Sequence, residues 1–233
     1  MNDFQTVILA AGLGTRLGRP RPKPLTRLED GRSIMQQQVD NLRSAFGPDV
    51  RITAVVGFKA TLVMEEQPDL LFAYNPYFDG TNTSKSLLRA LSTSSAGGVL
   101  WLNGDVVFDP AVLDDLRTAI EPDQSTVCVN TAAVGEEEVK YTVDAEGFVW
   151  ELSKTVTGGL GEAVGINYVA AHDKAVLIEE LQRCDDNDYF ERGLETAVQD
   201  RGMRIVPLDI SRRFAVEVDF EEDLQRANRR TAV

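Results

Sequence analysis

Val7-Ile8-Leu9-Ala10-Ala11-Gly12-Leu13-Gly14-Thr15-Arg16-Leu17-Gly18, with Arg21-Pro22-Lys23-Pro24-Leu25 close behind, decides how this chain is read. An apolar run with no polar interruption feeds directly into a glycine-rich turn. A strand buried on both faces of a parallel sheet reads this way. The glycines let backbone N–H groups approach a ligand with no Cβ between them. Successive N–H groups in such a turn form a concave anion site, and Arg16 and Lys23 set two cations beside it. The reading is a phosphate-handling loop on the first strand of an α/β sheet.

Spacing narrows the kind of loop. A P-loop needs Gly, four residues, then Gly-Lys-Ser/Thr, and no such string occurs. A dinucleotide fingerprint would place its third glycine where Leu17 stands; the glycine arrives one residue late, at Gly18. A nicotinamide enzyme would also need an acidic residue about twenty residues beyond the loop to hold a ribose. Glu29 and Asp30 come too early for that, before any second strand.

Composition bounds the rest. A chain of 233 residues with 43% hydrophobic content suits one α/β domain, residues 1–233. Its net charge of −13 argues against a nucleic-acid polymer as partner. A nucleotide remains open, because a metal ion and a few local cations can hold a triphosphate. Cys128 and Cys184 are far apart and lack a C-x-x-C, so two free thiols are expected rather than a disulfide or zinc site. No signal-like segment precedes the first strand and no apolar run approaches the ~18 residues of a membrane span. A soluble cytoplasmic protein with no membrane partner is expected.

Along the chain, Ser33 caps a helix that Gly47-Pro48 stops. A β-branched strand over 51–56, a helix over 59–66 and a buried strand over 70–74 follow. A polar connection, Asn75 to Ser86, runs into a helix with Leu87, Leu88 and Leu91 on its apolar face. A strand from Val99 then leads into Asn103-Gly104-Asp105. This alternation implies a mainly parallel sheet with helices on both faces, and ligands at the C-terminal strand ends. Asp105 falls at such an end, where a carboxylate needs a cation. Asp109 already stands as the cap of the next helix, so Asp105 reads as a metal ligand.

From Thr126 the pattern turns antiparallel: strands over 126–131, 139–144 and 148–152, with Asp144-Ala145-Glu146-Gly147 as a hairpin turn. Trp150 reads as core. Glycines at 158, 159 and 161 precede a strand that carries Glu162, and would allow a lid to move. His172 reads as a loop residue; with one histidine and no G-x-S-x-G or S-x-x-K, a serine hydrolase is hard to build. Two helices, 174–184 and 187–200, follow, with Tyr189 and Phe190 opening the second. Ser211-Arg212-Arg213 is basic enough to attract an anion. In Phe214–Asp219, Ala215, Glu217 and Asp219 share one face and Phe214, Val216 and Val218 the other. On the local sequence Asp219 is a candidate cap of the last helix, a role that leaves its side chain open to another reading.

Leu9-Ala10-Ala11-Gly12-Leu13-Gly14-Thr15-Arg16-Leu17 followed by Pro22-Lys23-Pro24-Leu25 resembles the signature of the sugar-phosphate nucleotidyltransferases. Asn103-Gly104-Asp105 and Glu217-Val218-Asp219 match that family's two aspartate motifs. Asn75-Pro76 with Asn82 to Leu87 resembles an element of its choline-phosphate branch, and Ser153-Lys154 and Gly161-Glu162 resemble acceptor-side elements. The nearest likeness is to the choline-phosphate, inositol-phosphate and aminoethylphosphonate cytidylyltransferases.

The resemblance implies a single Rossmann-like three-layer domain of GT-A-like fold. Its sheet would be mixed but mainly parallel, with a small antiparallel acceptor-side subregion. Residues 1–125 would bind nucleotide and 126–233 mainly the acceptor. It further implies a nucleoside triphosphate, CTP foremost, a small phosphorylated or phosphonate acceptor, and Mg²⁺ on Asp105 and Asp219. Arg16, Lys23, Asp105 and Asp219 would be catalytic. Leu9, Ala10, Ala11, Gly12, Gly14, Thr15, Gly57, Asn82, Ser86 and Gly104 would bind nucleotide. Lys154, Glu162, Tyr189, Arg212 and Arg213 would bind the acceptor. Choline recognition uses an aromatic cage, and Trp150, Tyr168 and Tyr189 are scattered, so a sugar phosphate, cyclitol phosphate or phosphonate stays open. So do UTP or GTP as donor, a homodimer, and a regulatory nucleotide-binding module without transfer.

Overall fold

β1 (Gln5–Ala10) is the strand that the opening motif requires, and it lies inside the sheet between two parallel neighbours. A computed structural model describes residues 4–14, 16–132, 134–135 and 138–231, so Thr15 lies outside the described residues. In chain order the first half continues with α1 (Ile34–Phe46), β2 (Ile52–Val56), α2 (Ala60–Glu66), β3 (Leu71–Tyr74), α3 (Thr83–Ser92) and β4 (Val99–Asn103). β5 (Val106–Phe108), α4 (Ala111–Ile120), β6 (Thr126–Asn130), β7 (Lys140–Val143), β8 (Val149–Ser153) and β9 (Gly161–Val169) come next. The chain closes with α5 (Lys174–Arg183), α6 (Phe190–Arg201), β10 (Val206–Asp209), β11 (Ala215–Glu217) and α7 (Glu221–Thr231).

The main sheet has the order β10-β6-β9-β4-β1-β2-β3, with the β7–β8 hairpin attached to β9. Successive β1 residues point to opposite faces, and both faces are covered, which is why the run is apolar throughout. Ile8 and Ala10 pack with α1, α2 and α4 in one core. Val7, Leu9 and Ala11 pack with α3, α5 and α6 in the other. The fold is therefore α/β in three layers, with a mostly parallel mixed sheet. Among the described residues no helix is long and apolar enough to cross a membrane.

Local chemistry agrees with the expected helix starts. Ser33 Oγ accepts from Gln36 N at 3.1 Å and Asn82 Oδ1 accepts from Thr83 N at 2.8 Å; caps of this kind stabilise by about 1 kcal/mol each. Asp109 Oδ1 accepts from Ala111 N at 2.9 Å, which leaves Asp105 free of any capping duty.

Four expectations need correction. β3 is not a buried strand: it forms the sheet's outer edge, with Leu71 54% exposed, because nothing pairs beyond it. Trp150 is not core; it lies 46% exposed on β8, whose buried residues are Val149 and Leu152 and whose pairing with β7 is irregular. The second half is not wholly antiparallel either, since β10 runs parallel to β6. Gly161 is a buried, paired residue of β9 facing Tyr141, not a hinge.

Candidate active site

The C-terminal ends of β1, β4 and β6 and the first residues of β9 open onto one cavity of about 640 Å³. Leu9, Ala10, Gly12 and Gly14 line one side of it, Asn103, Gly104 and Asp105 the floor. Gly104 N donates to Leu9 O at 2.9 Å and ties the floor to β1. The loop turns back through Gly14, whose φ of +62° suits glycine and whose Cβ position would stand 2.9 Å from Lys23 Cβ. Lys23 begins a short 3-10 turn and is thereby aimed under the loop.

The two aspartates meet because a second, small sheet forms. β11 pairs antiparallel with β5, setting Glu217 opposite Val106, and Val218 N donates to Asp105 O at 2.9 Å. That register brings Asp219 beside Asp105. Lys23 Nζ donates to Asp105 Oδ2 at 2.7 Å and also to Asp219 Oδ1. Arg16 donates to Asp219 Oδ2 at 2.7 Å. Burial alone pulls the Lys23 ammonium down, but its attraction and hydrogen bonds to Asp105 and Asp219 outweigh that and raise it. Burial pushes Asp219 up, and Lys23 and Arg16 outweigh it, holding that carboxyl below its ordinary range. Asp219 does not cap α7: Asp223 Oδ2 accepts from Asp219 N and Phe220 N at 3.2 and 2.9 Å instead.

An oxygen-seeking divalent ion fits this donor set on two counts. Asp105 Oδ1 is buried with no hydrogen-bond partner, and both carboxylates already face a cation, Nζ of Lys23. Among the described residues, however, no group of three or more His, Cys, Asp or Glu could hold an ion. The remaining ligands would have to be substrate oxygens and water, as is usual for magnesium.

The opposite wall carries Lys154, Glu162 and Tyr189. The Lys154 ammonium lies 5.2 Å from the centre of the Tyr189 ring, and Glu162 Oε2 accepts from Gly135 N at 3.0 Å. Phe190, beside Tyr189, turns inward and packs edge-on against Trp101. Other expected residues are not brought to the cavity. Arg213 is held by Asp115 of α4 through two hydrogen bonds of 2.8 and 3.0 Å, and neither it nor Arg212 lines the cavity. Ala11 belongs to the core, and Gly57 packs against Ala11 O and Phe78. Asn82 is occupied capping α3 and donating to Asn187 O, and Ser86 Oγ accepts from Asn75 Nδ2 at 3.2 Å. Of that helix start, Thr83 reaches the cavity.

Several lining or positioning residues escaped the sequence reading. Gln38 donates from Nε2 to Asn103 O and Val106 O, both at 2.8 Å, and so grips the turn that carries Asp105. A signal existed: Gln38 interrupts the apolar stripe of Met35, Val39 and Leu42, and a polar residue there must find a partner. Glu217 is half-buried and accepts from Asn103 Nδ2 at 2.9 Å; desolvation, with Asp105 adding to it, pushes its carboxyl well above the ordinary value. Glu138, Glu191 and Arg226 also line the cavity, and no spacing in the sequence marks them.

Comparison with known proteins follows the same lines. The family model for the MobA-like NTP transferase domain matches residues 6–205. Over 152 residues the chain is 38% identical to CMP-5'-(3-aminopropyl)phosphonate synthase of Streptomyces rubellomurinus, a match covering 61% of this chain and 23% of that protein. The chain spans less than half the length of the curated relatives it matches. Among solved structures, the inositol-1-phosphate CTP transferase from T. maritima superposes with a TM-score of 0.74 at 17% identity, covering 94% of this chain and 90% of that one. A UDP-glucose pyrophosphorylase complexed with UDP-glucose superposes with a TM-score of 0.77 at 15% identity, covering 100% and 99%. At those identities the structures speak for the fold.

Proposed function

The chain belongs to the MobA-like NTP transferase family, and from that premise we propose that it moves CMP from CTP onto a small phosphate or phosphonate acceptor, with release of pyrophosphate. The observation that carries the reading is the convergence of Asp105 and Asp219 on Lys23 beneath the glycine loop. CTP as donor and a phosphonate-type acceptor are supported by the sequence likeness to a synthase of a CMP-phosphonate.

In this reaction an acceptor oxygen attacks the α-phosphorus in line. Its bond to phosphorus forms as the bond to the bridging oxygen of the β-phosphate breaks, and pyrophosphate leaves with that electron pair. An acceptor phosphate or phosphonate is already ionised at neutral pH, so no Ser, Cys or His is needed as nucleophile. The protein's work is to position two anions and offset their repulsion. Arg16 and Lys23 serve the triphosphate and the departing pyrophosphate, while backbone groups of Leu9 to Gly14 and Gly104 cradle the nucleotide. Asp105 and Asp219 would hold Mg²⁺, which when bound offsets phosphate charge and polarises the α-phosphoryl group. Lys154 takes the acceptor's anionic end. Residues 1–125 thus serve mainly the nucleotide and 126–233 mainly the acceptor, within a single domain.

Pyrophosphate release tests the reading, with Mg²⁺, each nucleoside triphosphate in turn, and a panel of phosphate and phosphonate acceptors. Release is expected with CTP and one acceptor class, and Asp105→Asn should lower it by about a hundredfold or more. Undiminished release in Asp105→Asn would overturn the assignment of that residue. CTP binding without release for any acceptor would point to a nucleotide-binding module.

A further inference from the structure

The turn that carries Asp105 is held from three directions. Gly104 N donates to Leu9 O of β1, and Val218 N, just beyond β11, donates to Asp105 O, both at 2.9 Å. The third hold comes from a side chain on α1. Gln38 is fully buried, and its Nε2 donates to Asn103 O and to Val106 O, each at 2.8 Å. Those carbonyls stand on either side of Gly104-Asp105, so one planar amide spans the turn and fixes its width. An amide nitrogen has two hydrogens, and both are engaged here.

Stability alone would not choose a glutamine at this position. Its Oε1 is buried without a donor, and a buried acceptor left unpaired destabilises a fold. The neighbouring amides of α1 serve a different point. Gln37 Nε2 and Asn41 Nδ2 both donate to Phe108 O, at 2.8 and 3.1 Å, at the far end of β5. Of the three amides on this face of α1, Gln38 is the one whose acceptors flank Asp105.

We propose that Gln38 is a positioning residue: by clamping Asn103 O and Val106 O it fixes where the Asp105 carboxylate stands, and so how tightly Asp105 and Asp219 take a divalent ion. The inference rests on the transfer reading above, in which those two carboxylates hold Mg²⁺. Magnesium demands near-octahedral oxygen ligands at about 2.0–2.1 Å, so a carboxylate on a turn free to widen binds it worse. Gln38 does not line the cavity and acts through the backbone of residues 103–106. Removing an outer residue that orients a metal ligand typically lowers metal affinity or activity by about 10–100-fold.

Metal-assisted nucleotide binding tests this without turnover. The full chain, Gln38→Met and Gln37→Met, each checked for folding by circular dichroism, are titrated calorimetrically with α,β-methylene CTP, once with Mn²⁺ and once with EDTA. The native protein is expected to bind the analogue more tightly with Mn²⁺. Gln38→Met should weaken binding with Mn²⁺ by about tenfold or more and leave binding in EDTA within about twofold. Gln37→Met removes an amide of the same kind from the other end of β5. It should lower the urea midpoint about as much as Gln38→Met does and leave both affinities within about twofold. A Gln38→Met protein with native affinity in Mn²⁺, or equal weakening by the two variants, would overturn the inference and leave the transfer reading standing. If Gln38→Met does not fold, the side-chain amide signals of the native protein in a ¹H–¹⁵N spectrum carry the test. The Gln38 signal should shift when Mg²⁺ joins the bound analogue and the Gln37 signal should not; an unmoved Gln38 signal would overturn the inference. Absence of pyrophosphate release with every acceptor would defeat the transfer reading, yet a Mn²⁺-specific loss in Gln38→Met would still uphold Gln38. Equal affinity of the native protein in Mn²⁺ and EDTA would overturn both.

Discussion

Glu191 holds a carboxyl in a wall that gives it almost no water and leaves one oxygen without a donor. An unfolded chain releases that proton near the ordinary value of 4.5, whereas the folded protein keeps it to about 7. A carboxyl raised in this way favours the fold fully below the unfolded value, and that contribution is lost as pH rises through the folded one. The loss is on the order of 3 kcal/mol between those limits. Glu191→Gln keeps the shape and removes the titration. Urea unfolding should therefore find Glu191→Gln more stable than the native protein at about pH 8, with the gap closing by about pH 5. A gap that does not depend on pH would mean that Glu191 is solvated. Lys23 is the converse case, a buried cation fully engaged by Asp105 and Asp219. Its importance could be read from the P-K-P-L string. Its partners could be named from two motifs, but Glu191 belongs to no motif and only packing reveals it.

At the scale of elements, the site depends on strands too short to notice in a sequence. β5 and β11 have three residues each, yet their pairing sets the distance between the two aspartates. β9 presses on the same point through Gly165, whose φ is +68° and whose Cβ position would lie 2.5 Å from Glu217 Oε1 and 2.6 Å from Asn103 Nδ2. Gly165→Ala should thus lose about 1–3 kcal/mol of stability and displace the Asn103–Glu217 pair beneath Asp105. Gly202, the left-handed residue that ends α6, has φ +69° with nothing near its Cβ position. Gly202→Ala should cost about 1 kcal/mol of stability and leave pyrophosphate release intact. Equal loss of release in both variants would mean that the β9 contact does not shape the floor. The alternation of Ala215, Glu217 and Asp219 announced which side faces the ligand; which strand they would pair with was not written there.

For the whole molecule, the net charge of −13 sets a repulsive field for a polyanion. The two cations beside the glycine loop do not cancel it at long range, because Lys23 and Arg16 are already paired with Asp105 and Asp219. Salt shortens that field, to a Debye length of about 8 Å at physiological strength. Stopped-flow binding of CTP in the absence of a divalent ion should accordingly speed up as sodium chloride rises from about 20 to 200 mM. A rate that falls with salt would indicate a local positive funnel stronger than the overall field.

Residue order alone carried the layered α/β fold, the central strand, the glycine loop and the two aspartates. These are written locally: an unbroken apolar run needs cover on both faces, a glycine run frees backbone N–H groups, and a strand end offers its last side chain to the crevice. Long-range packing turned Leu71 and Trp150 outward and gave Arg213 to Asp115. It also set Gln38 against the Asp105 turn and left Glu191 Oε2 without a donor in the cavity wall. Each of those depends on which distant segment arrives as neighbour, and hydrogen-bond partners and burial are properties of that arrival rather than of any residue type.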